Sequence, residues 1–208
     1  FRRARLSDAS MKYVKFLLTS ALYVVVLLAT YVIHVKFFRV NVVFYSSIAD
    51  SVIATVLTIV IVSRIRWLND FNAFEKTLLA CIWLLLGYGF AISVPTVIDR
   101  SLSFYTLEKL QQRGGGIKLS AFEGVYAREY MKEHRLVDVR LTEQQQSGTI
   151  VIRDGCVKLT HWGNTLATAS RYFRANFLPK ERLLMGEYSS DLTDPFRTSE
   201  ATVDYLCQ

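Results

Sequence analysis

The chain is poor in the residues that most often carry chemistry. It has three histidines and three cysteines. His34, His134 and His161 stand apart with no metal-ligand spacing, and Cys156 has no histidine at a motif distance. Neither a zinc site nor a Cys–His nucleophile is expected. Cys81 falls inside an apolar run, and Cys156 and Cys207 alone make no disulfide framework. Three free thiols are expected, since a Cys156–Cys207 bridge requires an oxidising compartment. Gly114-Gly115-Gly116 lacks a preceding strand and the Gly-Lys-Ser/Thr ending of a phosphate-binding loop. No metal, no cofactor and no enzymatic activity are expected, and no residue is nominated as catalytic.

Long apolar runs are what the chain has instead. Hydrophobic residues make up 51% of it and charged residues 21%, and nearly all the charge lies outside three runs before Asp99. A helix needs roughly 20 apolar residues to cross a bilayer core. Phe16 to Ile33 and Thr77 to Ile98 are charge-free, and Val40 to Val62 is broken only by Asp50. Spans are expected at about 14–34, 40–63 and 77–98, within a transmembrane domain of residues 1–100. Met11 to Ala29 has the charge pattern of a signal peptide, but the run continues to Ile33 without a small-residue cleavage site, which favours an uncleaved span. His34 to Arg39 reads as a short basic loop. Ser63 to Lys76 mixes Trp67, Phe71 and Phe74 with charges and reads as a short interfacial helix.

Three spans put the two ends of the chain on opposite faces. Arg2, Arg3, Arg5, Lys12, Lys15, Arg64, Arg66 and Lys76 lie on one face, and Lys36, Arg39, Arg100, Lys109, Arg113 and Lys118 on the other. Eight against six leans toward an N-terminus inside and a C-terminal part outside. A further span upstream of Phe1 reverses that result, so the side is left open. The expected location is the membrane, most simply a bacterial inner membrane.

Asp50 is the one ionisable group deep in a run. Ser47, Ser51, Thr55 and Thr58 share its helical stripe. Small hydroxyl residues let helices approach closely and bond across the interface. A packing seam, with Asp50 protonated or bonded to a neighbouring helix, is therefore expected ahead of a proton or ion relay.

Beyond Asp99 the composition is that of a water-soluble domain. Ser101 to Arg113 reads as a helix with Ser101 as its N-cap, Ser120 to Glu133 as a second helix and Leu136 to Gln146 as a third. Thr149 to Thr160 reads as a β-hairpin turning at Asp154-Gly155, and a last helix runs from about Asn164 to Phe177. That order resembles a winged helix-turn-helix domain over roughly residues 101–177. So do the third helix running into Ser147-Gly148-Thr149-Ile150 and the run Leu159-Thr160-His161-Trp162-Gly163, similar to the family's "L-T-x-x-G" after the wing. The resemblance implies Leu159 buried under the sheet and Thr160 capping the final helix. Residues 178–208 form a polar tail, read as an extended arm.

The expected fold class is mostly α: a three-helix transmembrane bundle, a small α+β winged-helix-like domain and the tail. The resemblance implies that Arg135, Arg140, Gln144, Arg153 and Lys158 face a partner or DNA. Residues 101–180 carry twelve Lys and Arg against seven Asp and Glu, which permits DNA binding without compelling it. The expected partners are membrane lipid and either another integral membrane protein or a second copy of the chain, ahead of DNA. The expected function is a non-enzymatic accessory or regulatory subunit. A system assembling envelope glycans is one setting, though no residue selects it, and a membrane-tethered transcription regulator is the rival.

Overall fold

In hydrocarbon an uninterrupted apolar run must satisfy its own backbone, and a single segment does so as a helix. The computed structural model describes residues 2–65, 67, 71–192, 195 and 196, with side chains from Met11 onward. It has three helices long and apolar enough to cross a membrane, Met11–Phe37, Val43–Arg64 and Ala73–Arg100. The first lies within α1, Arg2–Phe37; the second is α2, Val43–Arg64. The third comprises α3, Ala73–Ala91, a π-helical turn at Ile92–Thr96, and α4, Val97–Arg100. Pro95 lies inside that turn. Proline has no N–H and its ring crowds the preceding turn, so the helix widens locally instead of breaking.

The expected loop at His34 is corrected. Helix α1 carries on to Phe37, so His34 is helical. The apolar run ends at Ile33, but helix propagation adds a hydrogen bond per residue whatever the side chain, and His34 has a partner on α2. The interfacial segment is also revised in part. Phe71 joins the bundle core, while Trp67 is half exposed and lies 5.3 Å from Lys15 Nζ, over whose ammonium its ring closes. Arg66, Leu68, Asn69 and Asp70 lie outside the described residues. Helix α3 begins with a capping box: Glu75 N–H donates to Asn72 Oδ1 and Asn72 N–H to Glu75 Oε2, each at 2.8 Å.

Two compact units emerge, Phe1–Ile117 and Lys118–Gln208. The first holds the bundle, whose core is Tyr23, Leu27, Ala54, Val62, Phe71, Leu79 and Trp83. It also includes α5, Leu102–Gln112, capped by Ser101 Oγ, which accepts from Phe104 N–H at 3.3 Å. Gly114 and Gly115, at φ 81° and 99°, end that helix in the left-handed region.

The second unit begins with a helical stretch. A 3₁₀ turn (Leu119–Ala121), α6 (Phe122–Gly124), a π-helical turn (Val125–Tyr130) and α7 (Met131–Glu133) follow one another. Arg135, at φ 44°, turns the chain into α8, Leu136–Gln146. Strands β1, Ile150–Arg153, and β2, Cys156–Leu159, pair antiparallel from Ile150 opposite Leu159 to Arg153 opposite Cys156. Asp154 and Gly155 both take positive φ, as a two-residue hairpin turn requires. Helix α9, His161–Phe177, follows; Thr160 Oγ1 accepts from Gly163 N–H at 3.0 Å, the expected cap. A Cβ on Gly163 would lie 2.0 Å from Thr149 O, so only glycine lets α9 approach the hairpin this closely.

Three further expectations are corrected here. Leu159 is 60% exposed, not buried, because two short strands without a third layer cover too little of it. The tail is not extended throughout: β3, Arg182–Leu184, pairs with β4, Glu187–Ser189. The remaining tail residues 193–194 and 197–208 lie outside the described residues. Finally, Cys81 is free but Cys156 is disulfide-bonded. Sparse cysteine argues against a framework, not against a single bridge. Cys207, its suggested partner, lies outside the described residues.

Candidate functional site

Among the described residues a polar cluster lies buried inside the bundle of three apolar helices. On α2, Ser47, Asp50, Ser51, Thr55 and Thr58 are all buried, with Ala54 among them. On α1, Lys15, Thr19, Tyr23 and Leu27 recur at helical spacing and are buried too. These two faces meet, and α3 closes the bundle with Leu79, Trp83, Gly87 and Ala91.

The hydroxyls divide into two groups. Ser47, Thr55 and Thr58 donate to carbonyls of their own helix, at 2.8, 2.8 and 2.7 Å. They satisfy themselves and pack as small residues. The interhelical bonds are made by others. Tyr23 Oη and Ser51 Oγ are 3.2 Å apart, joining α1 to α2. Trp83 Nε1 donates to Ser20 Oγ at 3.2 Å, joining α3 to α1. Tyr23 also stacks on Trp83, with ring centroids 5.6 Å apart and planes inclined by 6°.

Asp50 has a partner that the sequence reading placed in a loop. His34 Nδ1 lies 2.6 Å from Asp50 Oδ1. The Asp50 side chain is almost fully buried, and that of His34 is one quarter exposed. At this distance the imidazole and the carboxyl form a direct hydrogen bond between α1 and α2, which offsets part of the cost of holding a polar group inside an apolar bundle. Asp50 Oδ2 is buried and makes no protein hydrogen bond. His34 also meets Phe38 edge-on, with ring centroids 5.8 Å apart.

Sequence reasoning missed His34, Tyr23 and Gly87. The repeat at Lys15, Thr19 and Tyr23 was a visible signal for an inward face of α1. A glycine inside an apolar run was a signal for close approach. A Cβ on Gly87 would lie 1.8 Å from Ser51 Oγ and 2.4 Å from Tyr23 Oη.

Two of the cations nominated beyond the spans are paired with acids. Arg135, just before α8, donates to Asp138 through Nε at 2.8 Å, and Arg140 pairs with Glu143 within α8 at 3.0 Å. Gln144 is held by Thr149, whose hydroxyl bonds both its carbonyl and its side-chain oxygen. Arg153 and Lys158 are exposed on β1 and β2. Among the described residues, no group of His, Cys, Asp and Glu is arranged to hold a metal ion. No protein-family model, characterised protein or solved structure matches the chain.

Proposed function

We propose that this chain is a non-enzymatic accessory or regulatory subunit of a membrane complex, most simply in a bacterial inner membrane. In this reading the spans dock an integral membrane partner and a winged-helix-like module, roughly residues 101–177, organises the aqueous side. The observation that carries it is the internal pairing on α8. Arg135 and Arg140, the cations that a recognition helix would turn to phosphate, are each engaged by an acid one turn away. A surface neutralised in this way suits protein recognition better than counterion-driven DNA binding.

The disulfide at Cys156 supports the same choice, since a bridged thiol belongs to an oxidising compartment and not to the side that holds the chromosome. The test is affinity purification of the full chain, tagged and extracted from its native membrane in mild detergent. Stoichiometric recovery of a second integral membrane protein is the expected result. Recovery of the chain alone, together with salt-sensitive DNA binding, would replace this reading with that of a tethered regulator.

A further inference from the structure

Helix α9 presents an apolar face that is open among the described residues. Trp162, Leu166, Phe173 and Phe177 are 54, 41, 55 and 63% exposed. With Ala169 between them, they fall within an arc of roughly 80° at the helical repeat of 100° per residue. Phe173 and Phe177 also touch one another, their ring centroids 5.3 Å apart. A contiguous apolar stripe of this kind on a soluble surface marks an interaction site.

The charge on the helix identifies the partner. Helix α9 contains no Asp or Glu, while Arg171 and Arg174 lie away from the aromatic stripe. At 100° per residue Arg174 lies about 100° from the middle of the stripe and Arg171 on the far face. An aromatic and aliphatic face with an arginine beside it is the pattern of a helix lying in a headgroup layer, the rings entering the acyl boundary and the Arg174 guanidinium staying with phosphate. The chain brings its own bilayer, because its third span ends at Arg100, so even weak docking is populated by effective concentration. A second copy fits less well, since pairing two α9 helices through the stripe brings an Arg174 from each beside the seam with no acid on either helix to offset them.

We infer that α9 is an interfacial helix that docks on an anionic lipid surface through Trp162, Leu166, Phe173 and Phe177, with Arg174 reading the headgroup charge. The inference stands whether or not the accessory-subunit reading does.

The full chain reconstituted in vesicles with brominated acyl chains tests it. One set contains phosphatidylcholine alone and the other adds phosphatidylglycerol. The difference between wild type and Trp162→Phe isolates the Trp162 emission from that of Trp67 and Trp83. Strong quenching of that component in the phosphatidylglycerol vesicles, weaker in phosphatidylcholine, is expected. Arg174→Ala should weaken docking about fivefold, Arg171→Ala on the far face should weaken it less, and Phe173→Asp should abolish it without unfolding an exposed face. A Trp162 component unquenched in both membranes, or quenched equally in both, overturns the assignment. So does α9-to-α9 cross-linking between copies with Trp162 unquenched, which would make the occupant a second chain.

Discussion

Gly87 faces Ser51 so closely that a methyl group in place of its hydrogen would overlap the serine hydroxyl at 1.8 Å. The backbone of α3 therefore lies directly on the seam between α1 and α2, where Tyr23 and Ser51 meet. In a membrane this closeness matters more than in water. Lipid tails are as apolar as leucine, so association rests on tight packing and interhelical hydrogen bonds.

Gly87→Ala is expected to destabilise the bundle by about 1–3 kcal/mol, the usual cost of overfilling a packed site. Gly89→Ala is the control, since a Cβ there meets no atom within 4 Å. Thermal unfolding of the full chain in detergent distinguishes them. Ser51→Gly should recover part of the loss in the Gly87→Ala background. Equal stability of both alanine variants would show that α3 does not seat where Gly87 puts it.

Asp50→Ala and His34→Ala should each leave the chain inserted while loosening the hairpin of α1 and α2. An intramembrane polar contact is worth about 0.6 kcal/mol and at most about 1.7. In Asp50→Ala the imidazole keeps its exposed quarter, whereas in His34→Ala a buried carboxyl loses the side-chain hydrogen bond that holds it. His34→Ala is therefore the more damaging of the two. A double-mutant cycle on detergent stability should give a coupling on the same scale, about 0.5–2 kcal/mol. Unchanged stability with altered proton flux in vesicles would overturn the packing view and make the pair a relay.

The bundle was legible in the sequence because hydrocarbon imposes one rule, length and apolarity, that composition alone can meet. The stripe through Ser47, Asp50 and Thr58 was legible for the same reason: polar residues in an apolar run declare themselves. What was not legible was the pairing. His34 follows the last residue of the charge-free run, and its bond to Asp50, sixteen positions away, is a tertiary contact that periodicity does not report. The turn at Asp154-Gly155 and the cap at Thr160 were local chemistry and could be read directly. Leu159 was assigned to an interior by resemblance, and a two-stranded hairpin offers it none.

The pairing on α8 predicts the outcome of a DNA titration. Full-length protein in detergent should bind duplex DNA only weakly, with little change across a salt series, because a surface that neutralises few phosphates releases few counterions. Arg140→Ala, which frees Glu143, should not weaken that background. A steep salt slope, lost on removing Arg153 and Lys158, would show that the hairpin does contact phosphate.

Cys156 carries the last prediction, on sidedness. If all three apolar helices cross, the segments before the first and after the third lie on opposite faces, and the basic residues lean toward the first of these being inside. A bridged Cys156 points the same way, because thiols facing a reducing cytosol stay reduced. In intact cells a charged maleimide should therefore fail to label Cys156 until a reductant is added, and a phosphatase fused to the C-terminus that needs export should be active. Cys156→Ser should lower stability by about 2–4 kcal/mol, the usual worth of a structural disulfide. Cys81, free and on a lipid-facing surface, is out of reach of a charged reagent in either topology, so labelling reports on the soluble unit. Labelling that stays absent after a reductant is added, with an inactive fusion, would place the soluble unit in the cytosol and return the tethered-regulator reading to first rank.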